Sequence, residues 1–123
     1  KRNSRIVSST NNPWNHYQAA DVYVCCSKNE SYPRTILEAM LFGLPIITTP
    51  TYGVREQVRN GFNANFFEFG DVEGLSGVLQ QLLENDGERQ TMGLNSRHML
   101  QSLNTFGEMT ERYEDIFLSA AGR

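Results

Sequence analysis

Residues 27–45 read SKNESYPRTILEAMLFGLP, and this stretch decides how the rest of the chain is interpreted. It opens as a polar loop that carries Glu30 and continues as a short helical pattern over residues 35–42. Apolar side chains recur in that pattern at helical spacing, and Gly43 is placed to end the helix. Glu38 is the one charged side chain within the pattern, so this acid requires an explanation.

Upstream of this stretch, the sequence predicts a strand, a helix and a second strand. Residues 5–8 form a short β-branched run that is typical of a strand. Asn12 and Pro13 signal a helix start, and a helix over residues 14–20 follows. Residues 21–26 are a nearly continuous apolar run of strand length, as expected for a parallel strand covered on both faces.

Downstream, the chain continues with two more strands and then with helices alone. We predict strands over residues 45–48 and 64–69, with turns at 50–53 and 59–61 and one or two helical turns over 54–58. The remaining helices are predicted over residues 72–84, capped by Asp71, over 87–103 and over 105–120. We expect the apolar side of the last helix to pack in the core or against another domain. That side consists of Phe106, Met109, Tyr113, Ile116 and Phe117.

Helices and strands that alternate through four strands, followed by helices alone, define an α/β fold. They predict an open parallel Rossmann-like sheet of about four strands with right-handed crossovers, flanking helices and a helical C-terminal tail. In such sheets ligands bind beyond the carboxyl ends of the strands, and the loop of residues 27–34 leaves from one of those ends. This loop is therefore the first candidate for a binding site.

The composition bounds the class of protein. A chain of 123 residues with 39% hydrophobic and 20% charged residues fits one soluble globular domain. The formal net charge of -3 argues against a nucleic-acid partner held by broad phosphate neutralisation. The apolar runs are much shorter than the roughly 20 residues that a membrane-spanning helix requires.

The cysteines and histidines indicate neither a disulfide nor a metal site. Cys25 and Cys26 are adjacent, so on a strand they would point to opposite faces and could not bond to each other. They suggest reduced thiols and a cytoplasmic location. His16 and His98 lack metal-ligand spacing, and we expect no metal and no cofactor. The chain begins Lys-Arg-Asn without an initiator Met, which favours a piece of a longer polypeptide.

The start of the helix over residues 35–42 has the geometry of an anion site. Pro33 and Thr35 mark that start, so we expect the backbone N–H groups of Arg34, Thr35 and Ile36 to be unpaired and to point into the crevice. Together with the positive end of the helix dipole, they suit a phosphate or diphosphate. The Arg34 side chain would add a charged contact or else face solvent.

Each of the two acids has a functional and a structural interpretation. Glu38 could accept two hydrogen bonds from the adjacent hydroxyls of a ribose, whereas on a solvated helix face it would pair with Arg34. Glu30 could hold the hydroxyls of a sugar, whereas in a polar loop it could equally be solvated. Spacing alone leaves these alternatives open.

A resemblance to a known family adds to this interpretation. Residues 27–47 resemble the E-x7-E segment of group 1 retaining glycosyltransferases, in which the two acids precede Ala-Met and Gly-x-Pro at these offsets. YQAADV at residues 17–22 resembles the Y-x-x-A-D-V that precedes the motif. GVREQV at residues 53–58, followed by Asn-Gly, resembles the G-G-x-x-E-x-(V/I)-x-x-G that follows it. The likeness covers about residues 5–83 and, weakly, the helical tail. In this family the last helix crosses back to the N-terminal domain, so the resemblance implies that part of its apolar side is exposed here.

This resemblance implies a site and a domain. It implies the second half of the C-terminal nucleotide-sugar-binding domain of a GT-B enzyme, as one partial domain over residues 1–123, with the N-terminal acceptor domain absent. Glu38 would bind the nucleotide ribose, and Glu30 would be the catalytic residue that contacts the donor sugar near the reacting centre. The other implied donor-binding residues are Ser31, Tyr32, Pro33, Arg34, Thr35 and Ile36. The chain departs from the family pattern at Ser31 and Tyr52, where glycine is common, and at Asn63-Ala64, where Thr-Gly is usual.

The resemblance also implies an activity. We predict the donor-binding part of a retaining glycosyltransferase that moves a sugar from a nucleotide diphosphate sugar to an unknown sugar or lipid acceptor. The family's basic diphosphate-binding residues would lie upstream of Lys1, so we expect this piece alone to be inactive. Peripheral membrane association through the absent N-terminal domain is compatible with the resemblance. Two alternatives stay open, namely a non-catalytic nucleotide-sugar-binding or assembly module and a GT-B-fold UDP-sugar epimerase.

Overall fold

A computed structural model describes residues 3–122 of the protein. Within them, helices and strands alternate until the third strand, and helices alone follow. In chain order the elements are α1 (Trp14–Gln18), β1 (Tyr23–Cys25), α2 (Arg34–Leu41), β2 (Ile46–Thr48), α3 (Tyr52–Gln57), β3 (Ala64–Phe66), α4 (Val72–Glu84), α5 (Asp86–Ser102) and α6 (Phe106–Ala120).

The three strands form one parallel sheet in the order β1-β2-β3. Tyr23 pairs with Ile46, and Ile46 pairs with Ala64, so the three strands begin level with one another. The connection from β1 to β2 contains α2, and the connection from β2 to β3 contains α3. The predicted open parallel α/β sheet with flanking helices is thereby confirmed.

Two apolar clusters cover the faces of this sheet. Ile46 packs into one cluster with side chains from α2 and α3, and Ile47 packs into the other with Leu82 of α4 and Met92 of α5. All three residues of β2 are buried as a result. Burial from both faces explains why this strand is apolar throughout instead of alternating.

One of the four predicted strands does not form in the described part of the chain. Residues 5–8, which we predict as the first strand, have no strand pairing and are exposed, and Ile6 is 98% exposed. A β-branched run is stabilised as a strand by its cross-strand and same-face neighbours rather than by its own backbone preference. Among the described residues no strand pairs with this run, and β1 remains at the edge of the sheet.

The three observed strands are shorter than the apolar runs that predicted them. Each has three residues, whereas the predictions cover residues 21–26, 45–48 and 64–69. Val22 and Phe67 lie outside the strands yet pack in the core cluster around Ile47. The apolar runs therefore indicated correctly that these segments pack in the core. The hydrogen-bonded part of each strand is shorter than the run that predicted it.

Capping side chains explain where the last three helices begin. Asp71 accepts a hydrogen bond from the Gly74 N–H at 2.9 Å and caps α4, whose bounds match the prediction. Asn85 caps α5 in the same way, and Thr105 forms a capping box on α6 with Glu108. The first helix differs, because Pro13 and not Asn12 is its cap residue and the helix ends at Gln18. α3 begins at residue 52, inside the turn predicted over residues 50–53.

The last helix leaves its apolar side open to solvent. None of the residues of α6 is buried, and Phe106, Ile116 and Phe117 are 60% exposed or more. The exposed part of our expectation is confirmed, whereas packing of this side in the core is wrong for the described residues. None of the helices in that part of the chain is long and apolar enough to cross a membrane.

Candidate functional site

An open cleft of about 960 Å³ lies at the carboxyl ends of β1 and β2. The loops that follow these two strands form it together with the first turn of α3. Its lining residues are Lys28, Asn29, Glu30, Ser31, Pro50, Thr51, Tyr52 and Arg55. Parallel α/β sheets bind ligands at this edge, so the loop after β1 lies where a site is expected.

Glu30 is held in the cleft by the ends of two strands. The Ser27 hydroxyl donates to Glu30 Oε1 at 2.8 Å, and the Thr49 hydroxyl donates to the Ser27 carbonyl oxygen at 2.5 Å. Ser27 follows β1 and Thr49 follows β2 directly, so the loop is tied to the sheet on both sides. Glu30 is half-buried and therefore differs from the freely solvated acid of the structural alternative.

Glu38 lies on the second turn of α2 and has two partners. The Tyr17 hydroxyl donates to Glu38 Oε2 at 2.9 Å, and Arg34 Nη2 lies 3.9 Å from Glu38 Oε1. The Arg34 side chain is 89% exposed, so this pair of opposite charges is screened by water and contributes only a few tenths of a kcal/mol. The pair with Arg34, which the structural alternative predicted, is therefore present. The shorter hydrogen bond from Tyr17 accounts for the orientation of Glu38.

An aromatic cluster fixes the ring of Tyr17. Phe42 stacks on Tyr17 with ring centroids 5.7 Å apart and on Trp14 with centroids 6.1 Å apart. The Tyr23 ring lies 5.9 Å from that of Tyr17. Packed rings hold the hydroxyl of Tyr17 in place, so the bond to Glu38 is preorganised.

The tyrosines beside the two acids resist ionisation. Burial raises the pKa of Tyr17 well above its ordinary value, and the hydrogen bond to the Glu38 carboxylate adds to this effect. Burial also raises the pKa of Tyr23. A hydrogen bond with the Thr35 side chain lowers this pKa in part, and the charges of Glu38 and Glu30 raise it by smaller amounts. Tyr23 therefore lies close enough to both Glu38 and Glu30 for their charges to influence its ionisation.

The backbone at the start of α2 offers fewer open amides than predicted. The Ile36 N–H donates to the Pro33 carbonyl oxygen at 3.2 Å, and the Ile36 side chain is completely buried. The expectation of an unpaired amide at Ile36 is therefore wrong, because the first turn closes on itself with this bond. Within the described residues, the N–H groups of Arg34 and Thr35 have no acceptor.

The structure does not bring all the predicted residues into one cavity. Glu30 and Ser31 line the cleft, whereas Glu38, Arg34, Thr35 and Ile36 belong to α2 and are not among its lining residues. Pro33 is buried and Tyr32 is 42% exposed. Burial, followed by the nearby charge of Glu56, raises the pKa of Tyr32. The candidate site therefore extends from the cleft across residues 31–33 to the first turn of α2.

Two cations on the cleft were not predicted from the sequence. Arg55 Nε donates to the Pro50 carbonyl oxygen at 3.0 Å, and its guanidinium carbon lies 5.7 Å from the Phe66 ring centroid. Lys28 Nζ lies 5.9 Å from the centroid of Phe69. The only available signal was their position in the two motif segments. Cations on both sides of a cleft favour an anionic ligand.

No metal site is evident in residues 3–122. In this part of the chain, His, Cys, Asp and Glu side chains do not form any group of three or more that could hold a metal ion. Cys25 is buried, Cys26 is exposed, and both are free thiols.

The fold is that of a Rossmann-like α/β domain with an open cleft at the carboxyl ends of its strands. A family model described as glycosyl transferases group 1 matches residues 2–99. The chain belongs to this family, which confirms the resemblance at the level of the family.

Individual proteins show the same relationship. Over 98 residues the chain is 29% identical to N-acetyl-alpha-D-glucosaminyl L-malate synthase of Bacillus anthracis, a match that covers 80% of this chain and 26% of that protein. Over 105 residues it is 30% identical to D-inositol 3-phosphate glycosyltransferase of Corynebacterium diphtheriae, covering 85% of this chain and 24% of the relative.

A solved structure supports the fold. The structure of HepE from Anabaena in complex with UDP has a TM-score of 0.76 and 22% sequence identity, over 85% of this chain and 29% of that one. The chain thus spans less than a third of the length of each of these proteins.

Proposed function

We propose that this chain is the donor-binding part of a retaining glycosyltransferase of the E-x7-E type. In this proposal Glu30 contacts the donor sugar near the reacting centre, and Glu38 binds the ribose of the nucleotide. The backbone from Ser31 to Thr35, with the Arg34 and Thr35 amides, holds the diphosphate. The donor is a nucleotide diphosphate sugar.

One observation carries the proposal. Glu30 is oriented in an open cleft by Ser27, at the edge where parallel sheets bind ligands, and two unpaired amides of α2 lie a few residues further along the chain. Lys28 and Arg55 add positive charge to the same cleft. The carboxylate can accept hydrogen bonds from sugar hydroxyls, and the cations and amides can bind phosphate. Together these groups complement a nucleotide sugar. Membership of the group 1 family and a HepE structure with UDP support this choice.

The rest of the enzyme would lie elsewhere in a longer polypeptide. We propose that the chain is one partial domain, the C-terminal domain of a two-domain enzyme, because it spans about a quarter of its curated relatives. The sugar or lipid acceptor, and any peripheral contact with a membrane, would then belong to an N-terminal domain. Free thiols at Cys25 and Cys26 support a cytoplasmic location.

A nucleotide titration tests the site. UDP, GDP and ADP are each added to the chain while backbone amide shifts are followed, and we expect weak binding with the largest shifts at Arg34, Thr35 and the residues around Glu30. Glu38→Ala should weaken that binding about tenfold, since it removes a charge-assisted bond to the ribose. Glu111→Ala, on an exposed turn of α6, is the matched control and should bind as the wild type does. Shifts confined to residues outside the site would contradict the assignment.

The full-length parent tests the reaction. We expect it to transfer or hydrolyse the sugar of a nucleotide diphosphate sugar, and this activity should collapse in Glu38→Ala. Binding without turnover in the wild type would instead identify a non-catalytic module. Release of an altered nucleotide sugar, without transfer, would identify an epimerase.

A further inference from the structure

Gln57 is a completely buried amide at the end of α3 that packing alone does not explain. Its Nε2 donates to the Pro33 carbonyl oxygen at 3.0 Å, whereas its Oε1 is buried without a partner among the described residues. An unpaired buried oxygen costs free energy that largely offsets what the single bond contributes. The amide is therefore better explained by the group that it holds than by the stability of the core.

Gly53 touches the same segment one helical turn earlier. A Cβ at Gly53 would lie 1.0 Å from the Ser31 carbonyl oxygen, so the backbone of α3 is in direct contact with the Ser31–Tyr32 peptide. Residues four apart share one face of a helix, and this face of α3 is directed at residues 31–33. α3 thus contacts this segment at two points, one by close approach and one by a hydrogen bond.

The segment of residues 31–33 joins the two halves of the candidate site. Glu30 precedes it, and the open amides of Arg34 and Thr35 follow it directly. Pro33 has an extended backbone, with φ of -67° and ψ of 121°, so the orientation of its peptide sets the direction in which α2 begins. Whatever holds the Pro33 carbonyl oxygen also holds the amide that follows it, because both belong to one planar peptide unit.

We propose that Gln57 is a positioning residue for the donor site. It does not touch the ligand, and it acts by fixing the peptide between Pro33 and Arg34 so that the Arg34 N–H points at the diphosphate. Gly53 allows α3 to lie close enough for this bond to form. The inference rests on the proposed function, since the diphosphate is the ligand that the amide would meet.

Gln57→Met in the 123-residue chain tests the inference. Methionine keeps the length and apolar volume of the side chain but removes the donor, and the Pro33 carbonyl oxygen keeps its bond from the Ile36 N–H. We expect the unliganded variant to remain folded, with shifted amide signals at Tyr32, Arg34 and Thr35. Affinity for UDP, GDP or ADP, whichever the wild type binds, should fall about 2- to 10-fold, as for the loss of one neutral hydrogen bond.

Asn63→Ala is the matched control for a change in stability. Asn63 is also a completely buried amide, with its Oδ1 bonded to the Arg59 N–H at 2.9 Å and its Nδ2 unpartnered among the described residues. Its loss should lower the thermal midpoint at least as much as Gln57→Met does, yet leave the nucleotide affinity of the folded chain unchanged. A general loosening of the fold would weaken binding in both variants.

Several outcomes would overturn the inference. Unchanged nucleotide affinity in Gln57→Met overturns it even where the amide signals move, and an equal loss of affinity in Asn63→Ala also does so. Unfolding of both Gln57→Met and Gln57→Leu would assign the amide to the core instead. Failure of the wild type to bind any of the three nucleotides is a separate result, which overturns the proposed function and this inference with it.

Discussion

Glu38 accepts a hydrogen bond from Tyr17, which lies 21 positions earlier in the chain, and this bond links the titration of the Tyr17 phenol to the neighbouring carboxylate. The bond requires the phenol to keep its proton, because the hydroxyl is the donor. Burial already disfavours the phenolate, and the neighbouring carboxylate disfavours it further. At neutral pH the pair is therefore a stable donor and acceptor, held at one end by stacked rings.

The titration of Tyr17 should reveal this link. Its folded-state pKa is raised, so its contribution to stability is complete below the ordinary pKa of a tyrosine, near 10, and is lost as pH rises from there toward the folded value. Glu38→Gln should lower the pKa of Tyr17 only in part, because burial is the larger cause. Tyrosinate absorbance against pH measures this, and Glu114→Gln on α6 is the control. An unchanged Tyr17 titration in Glu38→Gln would show that the carboxylate has no influence.

At the scale of elements, α3 determines where the loop after β1 lies. The helix is only six residues long, so its own hydrogen bonds do little to stabilise it, and contact with its neighbours holds it in place. Val54 and Val58 lie in the core cluster around Ile46, which anchors one side. On the side that faces residues 31 and 32 there is no room for a side chain, and Gly53 occupies that position.

A glycine-to-alanine substitution adds one methyl group. Comparing this substitution in α3 with the same substitution at an open position in α4 should separate the effect of packing from that of helix propensity. We expect Gly53→Ala to destabilise the chain by about 1–3 kcal/mol or more, because the new Cβ overlaps the Ser31 carbonyl oxygen and backbone must move. Gly77→Ala, at an exposed position in α4 with nothing within 4 Å of the new Cβ, should stabilise the chain by about 0.5–1 kcal/mol. Urea denaturation measures both. Equal effects of the two substitutions would contradict the close contact.

For the molecule as a whole, local chemistry was readable from the sequence and long-range contacts were not. Asp71 and Gly43 were predicted correctly as helix boundaries because a cap or a positive φ depends on neighbouring residues; Gly43 has φ of 71°. The strand over residues 5–8 was predicted wrongly because a strand needs a partner, and the pattern of one segment does not show whether a partner is available.

The candidate site shows the same division. The loop after β1 and the start of α2 followed from strand and helix signals alone. The bond between Tyr17 and Glu38, the contact of Gln57 with Pro33 and the cations at Lys28 and Arg55 depend on how distant segments meet. Sequence spacing could not reveal them, since each joins residues whose distance in space is set by the packing of the sheet.

The exposed last helix has a practical consequence for work with this protein. α6 contributes no buried side chain, whereas Leu103 just before it packs against the core, so the border of the compact body lies at about Asn104. Proteases should cleave first near that border, and a chain that ends at Asn104 should retain the thermal midpoint of the longer chain within a few degrees. Limited proteolysis followed by mass spectrometry would locate the cut, and a large drop in the midpoint of the shortened chain would contradict the border. Removing the helix would also remove six large apolar side chains from the surface, which should make the remaining domain easier to concentrate for nucleotide titrations.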